Sequence, residues 1–266
     1  MKYASELTGA ASSIVRLMDA VQPLPVPTPS LTVVGTGIRA VSQLTLEAVA
    51  AMAGAEALLH VIGEPIQEEA LLAINPNAKT MTDLYADGLE RSHTYEAMIL
   101  EVMAELEKGK RTVAAFYGHP GVFTYPSHES VRRARAAGFP ARMLPGISAA
   151  DCLYADLGID PGEGCQAYEA TSFLLHLPPV DPSAYLLLWQ VGTIGNWTYE
   201  SAGYDLSSFP ILVDALARIY GTAHLATLYE APFDPRGNAR VERMPIASLP
   251  SAYLTPASTL LIPPLG

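Results

Sequence analysis

Thr112-Val113-Ala114-Ala115-Phe116-Tyr117-Gly118-His119-Pro120-Gly121-Val122-Phe123 decides the reading of the fold. Its first half is an unbroken apolar run of strand length. A run apolar on both faces marks a strand inside a parallel sheet. Its second half sets two glycines and a proline around a histidine. Open α/β sheets collect their ligands at the carboxyl ends of strands, where this loop falls.

Working outward, Leu31–Val34 reads as a second strand, closed by Gly35. Thr45–His60 reads as a helix with Leu46, Val49, Met52, Ala53 and Leu58 on one side. Tyr95–Lys108 reads as another, entered through Thr94 and left at Gly109. His128–Ala137 reads as a third, with Gly138 past its end. Ala141–Leu144 is an expected strand, and Ser148–Leu157 opens a helix. Such alternation implies a parallel sheet with crossover helices. Beyond about residue 160 the chain grows rich in proline. Strands are expected at Ala184–Val191, His224–Tyr229 and Thr259–Ile262, with a helix at Ile211–Tyr220. This reads as a second α/β lobe with more antiparallel pairing. Residues 5–22 carry Leu7, Ala10, Ala11, Ile14, Leu17, Met18 and Val21 at helical spacing, and prolines 23, 25, 27 and 29 then impose an extended polyproline spacer. The expected division is an arm over 1–30, a first lobe over 31–145 and a second over 146–266.

Half of the 266 residues are apolar and 16% are charged, enough for a sizeable core. Twenty-seven acidic residues against sixteen basic give a net charge of −11, a poor balance for gripping nucleic acid or an anionic membrane. Cys152 and Cys165 are too few for a disulfide framework and suit a reducing cytoplasm. The six histidines lack metal-ligand spacing, so no metal is expected. No signal peptide is visible, and apolar runs such as Tyr185–Trp189 are far short of the roughly 18 residues that span a bilayer.

Gly35-Thr36-Gly37-Ile38-Arg39-Ala40 has the G-x-G-x-x-A shape of a dinucleotide turn. Glu56 stands at about the spacing of the ribose-binding acid, but inside the expected helix. Leu144-Pro145-Gly146-Ile147-Ser148-Ala149 is another strand-end loop, with Ser148 placed to cap a helix. Tyr85, Arg91 and Tyr95 form a polar cluster, in which 91 and 95 share a helix face.

These motifs occur in order with Asp156-Leu157-Gly158-Ile159-Asp160-Pro161, Tyr168-Glu169-Ala170, Trp189-Gln190-Val191-Gly192 and Ser258-Thr259-Leu260-Leu261-Ile262-Pro263-Pro264. On them the chain resembles the tetrapyrrole methylase superfamily over about 31–264. Within it, the chain is most similar to the borosin peptide backbone α-N-methyltransferases, especially the bacterial split type. The resemblance implies a two-lobed tetrapyrrole methylase-like α/β fold with the cofactor cleft between the lobes. The implied cofactor is S-adenosylmethionine, leaving S-adenosylhomocysteine as product. It would be held by Gly35, Gly37, His119, Val122, Thr124, Ser148, Ala149, Gln190, Glu230, Ala231, Ser258 and Thr259. The implied catalytic residues are Tyr85, Arg91 and Tyr95. Thr82 stands where fused fungal members carry a tyrosine, and Ala150 where many carry Glu.

The implied reaction moves a methyl to a backbone amide nitrogen, a poor nucleophile because its lone pair is delocalised. Tyr95 or Tyr85 would take the amide proton and Arg91 would steady the carbonyl oxygen. The resemblance further implies a cytoplasmic homodimer, and a heterotetramer with a separate precursor peptide. With no tail after Gly266 and few N–H groups in the proline arm, methylation in trans is the expectation. Three alternatives stand beside it. They are tetrapyrrole methylation on the same fold, nicotinamide-dependent redox chemistry from the GxGxxA turn, and a non-catalytic binding protein.

Overall fold

A computed structural model describes residues 27–265, arranged as two compact units. The expected helix over 5–22 lies outside the described residues, as does all of the proline spacer before Pro27. The first unit runs to Ser148 and takes in Phe233–Pro235; the second holds Ala149–Pro232 and Arg236 onward.

The first unit is built on β1 (Ser30–Gly35), β2 (Ala57–Val61), β3 (Ala78–Thr80), β4 (Arg111–Phe116) and β5 (Ala141–Met143), all parallel, in the order β3-β2-β4-β1-β5. Its helices are α1 (Leu46–Ala53), α2 (Pro65–Ile74), α3 (Arg91–Glu107) and α4 (Tyr125–Ala136). Val34, Leu58 and Val113 pack with α1 and α2 on one face. Val33, Leu59 and Phe116 pack with α3 and α4 on the other. Crossovers that run one way along the sheet therefore carry their helices on one face, and those that run back carry them on the other. A single crossover hand requires this. β1 and β4 are neighbours that feed opposite faces, so a crevice opens beyond their carboxyl ends.

The second unit holds α5 (Ala149–Leu157), β6 (Cys165–Glu169), α6 (Ala170–His176), β7 (Tyr185–Trp189), α7 (Phe209–Tyr220), β8 (Leu225–Glu230), β9 (Arg240–Pro245) and β10 (Thr259–Ile262). Its sheet order is β6-β7-β10-β8-β9, with β6 and β7 parallel and the other pairs antiparallel. Leu186, Leu188, Leu228 and Leu260 form its core with Phe173 of α6 and Leu212 and Leu216 of α7.

Several expectations need correction. The helix expected over Thr45–His60 stops at Ala53, capped by Gly54, and Ala57–Val61 is a strand. Ala57 to His60 are buried on both faces between β3 and β4, and a short apolar run of that kind satisfies helical and strand patterns alike. α3 begins at Arg91, four residues before the expected start, and α4 begins at Tyr125 with Pro126 in its first turn. β7 ends at Trp189, because Gln190 turns left-handed and Val191 enters a 3₁₀ turn. The elements α2, β3, β6, α6 and β9 were not expected; β3 is three residues long and β9 is an edge strand full of charge.

Candidate functional site

The carboxyl edge of the first sheet is closed by backbone meeting backbone. Gly37 and Gly118 exchange amide hydrogen bonds at 3.2 and 3.0 Å, which joins the loops after β1 and β4. A Cβ on Gly35 would lie 2.2 Å from the Gly118 carbonyl oxygen, and one on Gly146 would lie 2.9 Å from the same oxygen. Gly35, Gly118 and Gly146 therefore let three strand-end loops touch. The space that their missing side chains leave is filled by the chain itself. Gln43 fills the space beside Gly37, and its carboxamide oxygen accepts from the N–H groups of Ile38 and Arg39, both at 2.8 Å. In a dinucleotide turn those amides would face a pyrophosphate at a helix start. Here α1 begins only at Leu46. Glu56 precedes β2 and accepts from the Arg111 N–H at 2.8 Å. The nicotinamide reading loses both of its supports.

The loop from Tyr117 to Thr124 is pinned from within. His119 Nδ1 accepts from the Gly121 N–H at 2.8 Å, so a neutral ring carries its proton on Nε2. Thr124 Oγ1 donates to the Val122 carbonyl at 3.0 Å. From the first turn of α4, buried Ser127 donates to the carbonyls of Pro120 and Thr124, and His128 Nε2 meets the Gly121 carbonyl at 3.0 Å. Phe123 sits at φ 52° and is 47% exposed, beside Val122 at 37%. A left-handed non-glycine residue costs on the order of 1–2 kcal/mol. Strain of this kind, spent on exposing apolar surface, clusters at ligand sites.

α3 and α4 pack together through a carboxylate and guanidinium cluster. Arg133 holds Glu96 bidentately at 2.6 and 2.7 Å and reaches Glu129 at 2.8 Å, and Arg132 also binds Glu129. The two guanidiniums hold the Glu129 carboxyl down to about 2. This packing sets the Tyr95 ring 6.4 Å from that of Tyr125, the residue that follows the His119 loop. Tyr85 caps the 3₁₀ turn Thr82–Leu84 and packs on the same apolar cluster as Tyr95. Arg91 is the first residue of α3, whose first turn holds no acid. A cation there opposes the helix dipole by about 0.3–1 kcal/mol. Tyr125 belongs to this cluster and escaped the sequence reading, although it directly follows the loop that the reading singled out.

In the second unit, Gln190, Glu230 and Ser258 lie at one end of the sheet, where β7 and β8 finish and β10 begins. Gln190 is left-handed at φ 57°. Glu230 Oε1 is already engaged: Ser258 Oγ donates to it at 2.5 Å, Thr255 Oγ1 at 2.8 Å and Arg240 at 2.9 Å. Ser258 and Thr259 are buried. Glu230 Oε1 and Ser258 thus build an internal polar network beside the flanking Ala231. Ala149 opens α5 directly after buried Ser148. Among the described residues, no cluster of His, Cys, Asp and Glu could hold a metal ion, and no helix is long and apolar enough to cross a membrane.

A family model described as Tetrapyrrole (Corrin/Porphyrin) Methylases matches residues 30–203. The methyltransferase/ribosomally synthesized gymnopeptides precursor of Gymnopus fusipes is 40% identical over 240 residues, covering 88% of this chain and 57% of its own length. The corresponding omphalotin A precursor of Omphalotus olearius is 39% identical over 240 residues, covering 88% and 58%. The chain therefore spans little more than half the length of these curated relatives. Uroporphyrin-III-C-methyltransferase from Thermus thermophilus superposes with a TM-score of 0.63 at 20% identity, over 88% of this chain and 91% of its own. Diphthine synthase does so at 0.58 and 16%, over 88% and 89%. At such identities these two share the fold.

Proposed function

The chain belongs to the tetrapyrrole (corrin/porphyrin) methylase family, and on that premise we propose that it methylates backbone amide nitrogens of a ribosomal precursor peptide, with S-adenosylmethionine as methyl donor. One observation carries the reading. Tyr95 and Arg91 share the start of α3, beside Tyr125 at the root of the His119 loop, in a chain about 40% identical to peptide-precursor methyltransferases. The residues suit the donor. His119 Nε2 offers a hydrogen bond, and Val122 and Phe123 offer an exposed apolar surface for an adenine ring. On this reading His119, Val122, Thr124, Ser148, Ala149, Gln190 and Ala231 hold it, by side chain or backbone, while Gly35, Gly37, Glu230, Ser258 and Thr259 act by shaping the loops and strand ends.

S-adenosylmethionine supplies a methyl group on a positive sulfur, ready for transfer to a nucleophile. The remaining work falls to the chain. The amide N–H proton passes to the phenolate oxygen of Tyr95, or of Tyr85, as the nitrogen lone pair turns toward the methyl. Arg91 donates to the peptide carbonyl oxygen, where negative charge grows as the amide becomes imidate-like. The pinned loop fixes the geometry before the substrate arrives. The finer reading is a homodimer that takes its precursor as a separate polypeptide and forms a heterotetramer with it.

Intact-mass analysis of enzyme, precursor and S-adenosylmethionine incubated together tests the proposal. Stepwise methyl gain on the precursor supports it. Methyl gain on this chain refutes the separate-precursor reading, and no gain on any peptide refutes the peptide substrate. The runner-up is a tetrapyrrole substrate, favoured by the fold likeness to uroporphyrin-III-C-methyltransferase. Turnover of uroporphyrinogen with no peptide turnover would establish it.

A further inference from the structure

Phe233 touches both of the loops that meet at the carboxyl edge of the first sheet. It lies in Phe233–Pro235, the short segment that the first unit takes in from far along the chain. Its carbonyl accepts from the Ala40 N–H at 3.1 Å, in the loop after β1. Its ring stacks on Tyr117 at the start of the loop after β4, with centroids 5.9 Å apart and planes 18° from parallel. Ala40 follows Gly37 by three residues, and Tyr117 directly precedes Gly118, so both contacts sit beside the Gly37 and Gly118 backbone bridge. Tyr117 is 42% exposed and Phe233 half-buried, so the stack is not a piece of core packing.

Both loops hold strain that needs bracing. Val41, next to Ala40, sits at φ 62°, where a β-branched residue is a marked outlier. Phe123 is left-handed in the other loop. Such conformations persist only where their surroundings over-determine them. The Phe123 loop is braced from α4 by Ser127 and His128. The Val41 loop is braced from within, by the Gln43 carboxamide and by the Leu44 N–H, which donates to the Val41 carbonyl at 3.1 Å. From outside that loop comes the Phe233 carbonyl, one residue before the strained position. We propose that Phe233 is a positioning residue: it clamps the loop after β1 to the loop after β4, and so holds the His119 loop in the shape that binds the methyl donor. It acts through Tyr117, whose backbone leads into Gly118 and His119, and needs no contact with the donor itself. The donor is that of the proposed function, on which this role rests.

Amide hydrogen exchange and calorimetric titration with S-adenosylhomocysteine, both on the full chain, test the clamp. Phe233→Leu keeps an apolar side chain and the carbonyl but loses the ring, and Phe233→Tyr keeps the stack. Without ligand, the amides of residues 36–44 and 117–124 should exchange several-fold faster in Phe233→Leu than in wild type, and at the wild-type rate in Phe233→Tyr. S-adenosylhomocysteine should bind Phe233→Leu about 3- to 10-fold more weakly, the range that one ring pair supports, and Phe233→Tyr as tightly as wild type. Tyr117→Leu removes the same stack from an exposed position, so it carries the test if Phe233→Leu does not fold. The two leucine substitutions together should lose no more than either alone. Wild-type exchange in both leucine variants overturns the clamp. Faster exchange with unchanged S-adenosylhomocysteine affinity overturns the positioning role, as do additive losses in the double variant. A wild type that binds no S-adenosylhomocysteine refutes the donor assignment, and exchange alone then decides the clamp.

Discussion

Gly35→Ala tests whether the strand-end glycines serve loop contact or ligand approach. The new Cβ would stand 2.2 Å from the Gly118 carbonyl oxygen, 2.7 Å from Pro120 Cδ and 3.2 Å from Gly146 Cα. Gly35 has no positive φ, so the cost is purely steric. Two backbone segments must part by nearly 1 Å, and neither is the free end of a side chain. Overpacking of this kind costs about 1–3 kcal/mol. Loss of the paired Gly37 and Gly118 hydrogen bonds adds about 0.5–1.5 kcal/mol each. The expected loss is about 2–6 kcal/mol, read by urea denaturation. Gly63→Ala is the control: nothing lies within 4 Å of its Cβ, and a change within about 0.5 kcal/mol is expected. If Gly35→Ala unfolds at the same urea concentration as wild type and loses only cofactor affinity, the loop-contact account is wrong.

Tyr95→Phe keeps the ring against Tyr125 and should leave S-adenosylhomocysteine affinity unchanged while turnover falls by about 10²–10⁴; single-turnover mass spectrometry reads the loss. Arg91→Ala should lower turnover by about 10²–10³ in the same assay. Glu230→Ala removes the acceptor shared by Ser258, Thr255 and Arg240 and should cost about 1.5–3 kcal/mol in denaturation, because the partners are left unsatisfied. Burial holds His60 below its ordinary 6.5, with Glu68 pulling it partly back. As pH falls below 6.5 the unfolded chain takes a proton that folded His60 refuses, so stability drops. His60→Leu should flatten that slope between pH 7.5 and 5.5.

The parallel sheet was legible wherever a strand is an apolar run followed by glycine, as at β1 and β4. It was illegible at Ala57–Val61, where buried Ala57, Leu58 and Leu59 continue the helical pattern of α1 across the three residues Gly54-Ala55-Glu56. The edge strand β9 mixes charged and apolar residues, Arg240-Val241-Glu242-Arg243-Met244, with no apolar run to notice. The glycines of the site were legible as close approaches, but not what approaches them. Sequence cannot tell a ligand from another loop, and Gly35 meets Gly118. The pairing of Tyr95 with Tyr125 depends on the docking of α3 on α4, through Arg133 bonds that span 37 residues to Glu96.

Isothermal titration of the full chain with S-adenosylhomocysteine, wild type beside Tyr95→Phe and a His119→Ala variant, tests the central claim most directly. The account predicts saturable binding to wild type, unchanged binding to Tyr95→Phe and binding weakened at least tenfold by His119→Ala. No binding to wild type, or equal binding to all three, would contradict it.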